Sequence, residues 1–227
     1  MKITFISDTH NKHNEITKYL PGGDLIIHAG DFSSMGYDHE LKNFLKWFSK
    51  LDYTEKIFIA GNHDFCFQDS PYKSKDVVNQ YDGVTYLQDD FIYIGEYPNL
   101  VKIYGTPWQP EFMGWAFNLP KNGWELEQKW NDIPNDTDIL ITHGPPFGHL
   151  DKVIGRTDNL GCELLEKRIN NFKPKIHTFG HIHTGYGYKK NNNTHFVNAS
   201  VLNEYYINAN NPLTVDWDEK NNIIQFI

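Results

Sequence analysis

Five short polar knots carry the side chains that could do chemistry: Asp8-Thr9-His10, Gly30-Asp31, Gly61-Asn62-His63-Asp64, His143-Gly144 and Gly180-His181-Ile182-His183. Imidazole suits zinc, iron, manganese or nickel, and carboxylate suits manganese and magnesium. No cysteine joins the set, which weighs against a structural zinc. Asp8, His10, Asp31, Asn62, His143, His181 and His183 are more ligands than one cation needs. Two cations sharing one carboxylate would use them all, and a pair roughly 3.5–4 Å apart is the usual device for in-line attack at phosphorus. Any one knot alone reads as a turn or a helix cap; five of them, each after an apolar run, are hard to produce by chance.

Those apolar runs must position the knots. Residues 2–7, 24–29, 56–60, 138–142 and 175–179 read as buried strands. Between some of them lie helical patterns, over 37–51 with Leu41, Phe44, Leu45 and Phe48 on one stripe, and over about 160–172 with Leu165, Ile169 and Phe172. This order predicts an α/β core with parallel pairing, and open α/β sheets bind ligands at the carboxyl ends of their strands. The tail differs. Short strands over 186–188, 195–198, 213–217 and 223–226, with turns at Asn193-Thr194 and Lys220-Asn221-Asn222, predict a second, more antiparallel sheet packed on the first.

The chain has 227 residues, 39% of them hydrophobic, and lacks a Pro/Gly/Ser linker, which predicts a single domain over 1–227. No apolar run reaches eighteen residues, so no membrane helix is expected, and the N-terminus reads as a first strand rather than a secretory signal. Cys66 and Cys162 make no framework, and a reduced cytoplasmic setting follows as the default. The net charge of -8 disfavours a grip on long nucleic acid, though not on a small nucleotide. Oligomeric state is not legible.

The order Asp-x-His, Gly-Asp, Gly-Asn-His-Asp, His-Gly and Gly-His-x-His, from Asp8 to His183, resembles the calcineurin-like metallophosphoesterases. Further stretches sharpen the resemblance toward the smaller metallophosphoesterase-domain-containing, brain-type family. They are His28-Ala29-Gly30-Asp31, Gly105-Thr106-Pro107-Trp108-Gln109-Pro110, Trp115-Ala116-Phe117-Asn118, Thr142-His143-Gly144-Pro145-Pro146, Gly161-Cys162 and Asn198-Ala199-Ser200. The resemblance implies a four-layer α-β-β-α sandwich, two mixed sheets flanked by helices, with a dinuclear metal site at the strand C-terminal rim. It implies that Asp8, His10 and His183 hold one metal, that Asn62, His143 and His181 hold the other, and that Asp31 bridges them. His63 would donate a proton to the leaving group. Gly30-Asp31 is followed by Phe32-Ser33-Ser34-Met35, which departs from the serine/threonine phosphatase branch.

The expected activity is hydrolysis of a small phosphodiester, cyclic nucleotides included, by a hydroxide held between two divalent ions, Mn²⁺ first, with Fe, Zn or Co as fitting substitutes. Phosphomonoester hydrolysis uses the same residues, and a non-catalytic scaffold is the reading from another class. Asp64 could orient His63 or cap a turn, and His28 could support a ligand or fill the core. The segment 108–117, with Trp108, Phe112, Trp115 and Phe117, reads as a loop packed over the core, with a base-stacking rim as the alternative. Arg156 reads as a surface charge, with a substrate-phosphate clamp as the alternative, and Cys66 as a buried small hydrophobe. His13, His39, His149, His177 and His195 read as structural or exposed.

Overall fold

The structure, a computed structural model, describes residues 1–207, 210–221 and 223–227. Its first half runs β1 (Lys2–Ile6), α1 (His13–Ile16), β2 (Gly23–His28), α2 (Asp38–Phe48), β3 (Tyr53–Phe58), α3 (Phe65–Asp69), α4 (Pro71–Val78) and β4 (Val84–Tyr86). The middle adds β5 (Asp90–Ile94), β6 (Val101–Thr106), the two-residue β7 (Gln109–Pro110) and β8 (Asn118–Leu119), α5 (Trp124–Asn131) and β9 (Ile139–Thr142). The last part holds α6 (Glu163–Phe172), β10 (Ile176–Phe179), β11 (Gly187–Asn191), β12 (Thr194–Asn198), β13 (Leu213–Asp218) and β14 (Ile223–Phe226).

Two six-stranded mixed sheets result, ordered β14-β13-β1-β2-β3-β4 and β11-β12-β10-β9-β6-β5. β1 to β4 pair in parallel, with β13 antiparallel to β1 and β14 antiparallel to β13. In the other sheet β12, β10, β9 and β6 are parallel, and β11 and β5 close the two edges antiparallel. The alternation of strand side chains explains the layers. Ile3, Phe5, Leu25, Ile27 and Ile57 point between the sheets, against Ile103, Ile139, Ile141 and Ile176. Ile6, Ile26 and Phe58 point the other way, onto Phe44 and Phe48 of α2 and Phe67 of α3. Tyr104, Leu140 and Phe179 of the second sheet pack on Leu126 and Trp130 of α5 and Leu165 and Ile169 of α6. Strands buried on both faces read as largely apolar runs rather than as a strict alternation, and these do.

The tail does not build a sheet of its own. β11 and β12 extend the second sheet and β13 and β14 extend the first, because each edge still offered an unpaired row of backbone groups. Of the expected turn at Lys220-Asn221-Asn222, Asn222 lies outside the described residues. Among the described residues no helix is long and apolar enough to cross a membrane.

Candidate active site

Both sheets end at one rim, and the polar knots meet there. Ser7, just after β1, bridges to Ser200, just after β12, and joins the sheets. Loops after β1, β2 and β3 bring Asp8, His10, Asp31, Asn62 and His63, and loops after β9 and β10 bring His143, His181 and His183. The backbone there is strained. Asp8, His10, Asp31 and His181 all take positive φ, at 56°, 38°, 58° and 65°. Non-glycine residues held in the left-handed region persist when their surroundings dictate it, and they concentrate at functional sites. Two glycines allow the close approach. A Cβ on Gly61 would stand 2.2 Å from Asp31 Oδ1, and one on Gly180 would stand 2.0 Å from Asp8 Oδ2.

Asp8, His10 and His183 place one ligand atom each within 4.8 Å of one another; Asp31, His143 and His181 do the same, and His10, Asp31 and His63 form a third such group. Asn62 joins the second, with Oδ1 3.0 Å from His143 Nε2, which is itself 3.3 Å from Asp31 Oδ2. All seven residues expected as ligands therefore meet around Asp8 and Asp31.

The ring nitrogens are sorted by their partners. His10 Nδ1 donates to Ser33 O at 3.1 Å, His143 Nδ1 to Ala29 O at 2.9 Å and His183 Nδ1 to Asn203 O at 2.8 Å. A carbonyl can only accept, so Nδ1 carries hydrogen in each ring and Nε2 turns to the carboxylates. Outer hydrogen bonds of this kind orient metal-binding imidazoles. His10 Nε2 is buried and has no hydrogen-bond partner. Nε2 atoms converging with two buried carboxylates fit a pair of divalent cations, which would take the place of any proton those nitrogens carry.

Electrostatics agree with that donor set. Burial works against the charge on Asp31, but His143, His10 and His63 together outweigh it and hold the carboxyl far below its ordinary range. Burial likewise opposes the charge on Asp8, yet His183 holds its pKa well below 3.8. Burial disfavours the His143 and His183 imidazoliums, yet Asp31 and Asp8 respectively raise both to about 9. Burial lowers His10 and His181 to about 4. In the metal-free protein the stabilisation from His143 and His183 is full below their ordinary pKa of 6.5 and is lost as pH rises through about 9. A cation would compete with those protons for the same atoms. Calorimetry in buffers of different ionisation enthalpy should therefore find proton release on Mn²⁺ binding at pH 7, and hardly any at pH 10.

His63 is aimed differently. Its ring lies against Trp115, with centroids 4.0 Å apart, and its Nδ1 donates to Ser34 O at 2.8 Å. Its Nε2 stands 3.9 Å from Asp31 Oδ2. Asp64 does not orient it. The Asp64 carboxylate accepts from the backbone of Asp31, Ser33 and Gly61 and from Ser33 Oγ, so it clamps two ligand loops together. Burial, with Asp31 nearby, pushes its pKa up to about 7. His28 is both a core residue and a support. Gly30 N donates to its Nδ1 at 3.2 Å and its Nε2 lies 3.0 Å from Thr9 Oγ1, which ties the first loop to the second.

Several contributors have roles at the site that the sequence does not display. Ser200 Oγ donates to Asp8 Oδ2 at 2.8 Å. Tyr206 sets its ring edge-on to His10 and His183, at 4.9 and 5.4 Å. Glu40 on the first turn of α2 accepts from Asn11 Nδ2 and from the backbone of Ser34, Met35 and Tyr37. Its place three residues after Tyr37, at the helix start, was the available clue. Glu40→Ala should free the Ser34 carbonyl that holds His63; kcat should fall roughly tenfold to a hundredfold while both metals stay bound. Steady-state kinetics beside metal content would check this.

The segment 108–117 divides between its two readings. Phe117 is buried and Trp108 is partly buried, its Nε1 bonded to Asp89, whereas Trp115 backs His63 and half-exposed Phe112 lies edge-on to His181. Arg156 is exposed and lines a cavity beside the site. Cys66 is a buried free thiol, pushed up by burial. His13, His149, His177 and His195 are buried away from the cluster, and His39 is exposed.

Residues 1–185 match the family described as Calcineurin-like phosphoesterase. The chain belongs to that family. This calcineurin-like phosphoesterase is 42% identical over 228 residues to Metallophosphoesterase domain-containing protein 1 of Homo sapiens and of Mus musculus, covering 93% of this chain and 69% of each relative. It is 37% identical to a UPF0046 protein of Caenorhabditis elegans, over 95% of this chain and 60% of that one. The crystal structure of TT1561 of Thermus thermophilus superposes with a TM-score of 0.69 at 14% identity, covering 100% of this chain and 97% of the other, which is a likeness of fold. The protein is thus a metallophosphoesterase, a hydrolase of phosphoric esters, of a family that binds dinuclear metals.

Proposed function

We propose that this metallophosphoesterase hydrolyses small phosphodiesters, cyclic nucleotides among them. Asp8, His10 and His183 would hold one divalent ion, Asn62, His143 and His181 the other, and Asp31 would bridge them. The supporting observation is the convergence of Nε2 atoms, each fixed by an Nδ1–H bond to a carbonyl, on Asp8 and Asp31. The cations, Mn²⁺ first, would supply the hydroxide nucleophile and offset charge on the phosphoryl oxygens. His63 is the proton donor of this reading. Its Nδ1–H is fixed on Ser34 O, so a proton on Nε2 faces the substrate side and can pass to the departing alkoxide. Trp115 keeps the ring from turning away.

The family match ends at residue 185, yet β11 to β14 complete both sheets, which favours residues 1–227 as one domain. Two buried free cysteines suit a reduced, cytoplasmic setting. The deciding assay is cleavage of bis(p-nitrophenyl) phosphate beside p-nitrophenyl phosphate, with Mn²⁺ and with chelator. Faster metal-dependent cleavage of the diester supports the reading; preference for the monoester moves it to phosphatase; no turnover with several metals leaves the scaffold.

A further inference from the structure

A cavity of about 510 Å³ opens directly from the metal-ligand cluster. His181 and His183 line it on the side of the cluster, and Phe112, Val153, Leu160 and Ile182 supply apolar wall. His63, Asn62 and Trp115 do not line it. The cavity thus draws none of its lining from the proposed proton donor or from the tryptophan behind it.

In-line displacement gives that separation a meaning. The attacking and departing oxygens lie opposite one another, and the other three oxygens spread around the equator. In a phosphodiester one of those three carries the organic group that stays attached. With the departing oxygen at His63, that group projects sideways and needs room of its own. A phosphomonoester has no such group.

The geometry points to this cavity as the subsite for the retained ester group of an acyclic phosphodiester, a group that is apolar, uncharged and at least as large as an aromatic ring. This rests on the phosphodiesterase reading above. The wall chemistry sets apolarity. Away from His181 and His183, the charged side chains of the lining are Lys121 and Arg156 against Glu111 and Glu204, so that part of the wall carries no net formal charge to select an ion. In the reaction the new bond runs from the water oxygen to phosphorus, the bond to the departing oxygen breaks, and the bond to the retained group survives.

Two substrates with one leaving group test this: 4-nitrophenyl phenyl phosphate and 4-nitrophenyl methyl phosphate, assayed with the Mn²⁺-loaded protein. Burial of the phenyl ring should raise kcat/KM for the first roughly tenfold to a hundredfold, chiefly through KM. Val153→Asp and Leu160→Asp should each bring the phenyl-to-methyl ratio toward one. Calorimetry gives a second readout without turnover, in which phenylphosphonate should bind more tightly than methylphosphonate and lose that advantage in both variants. Equal kcat/KM for the two esters, or a preference that survives both substitutions, overturns the subsite and leaves the phosphodiesterase reading standing. Cleavage of neither diester alongside cleavage of p-nitrophenyl phosphate overturns that reading, and the subsite with it.

Discussion

Asp31→Asn should abolish most activity, lowering kcat/KM by roughly a thousandfold or more, and should reduce bound metal from two ions per chain to one or fewer. The substitution is nearly isosteric. The introduced amide could still accept from His63 N through its oxygen, as Asp31 Oδ1 does at 2.8 Å, so the loop should keep its shape. What disappears is the negative charge that holds His143 protonated against burial in the metal-free protein and that would lie between two cations in the loaded one. Metal analysis after gel filtration, with circular dichroism to confirm the fold, separates this from simple unfolding. Full activity with two metals retained would remove Asp31 from the bridging position.

His63→Ala should act differently: both metals stay, and turnover slows. For alkyl leaving groups, which need a proton, the loss should reach roughly 10²–10⁴-fold. For p-nitrophenolate, a stable anion on its own, it should be far smaller. A plot of rate against leaving-group pKa would thus steepen in the variant. If the variant instead lost metal, His63 would belong with His10 and Asp31 as a ligand, an arrangement that its Nε2, 3.9 Å from Asp31 Oδ2, makes geometrically conceivable.

The sequence displayed the strands that end in the site better than the others, for a physical reason. β1, β2, β3, β9 and β10 are buried over most of their length, above all toward their carboxyl ends, which keeps them short and largely apolar. Each ends in residues chosen for chemistry, and contrast between the two made every knot visible. β5 is a largely exposed edge strand of mixed composition and is not legible as a strand, and β6, although buried along its whole length, ends in Gly105-Thr106 rather than in a knot of Asp or His and is not legible either. The tail strands were seen, but which edge each would join depends on which backbone rows remain unpaired, and that is a property of the assembled sheets. The supports of the site were hidden for a similar reason. Ser200 lies 192 residues from the Asp8 carboxylate it serves, and Glu40 lies 29 from Asn11. Asn198-Ala199-Ser200 counts toward the family resemblance, but nothing local ties its serine to Asp8. Asp64 stood in plain sight, but only its four backbone and hydroxyl donors reveal it as a clamp rather than a partner of His63.

The proposed ligands come from both sheets, Asp8, His10, Asp31 and Asn62 from one and His143, His181 and His183 from the other. Bound ions would then act as rivets across the seam of the sandwich, beside the Ser7–Ser200 bridge. Pulling the sheets apart would mean breaking coordination bonds first, so the ions should slow unfolding more than they speed refolding. Catalytic competence and mechanical integrity would share one fastening, and a cell short of metal would meet not merely an idle enzyme but a chain whose two halves part more readily and come sooner within reach of proteases.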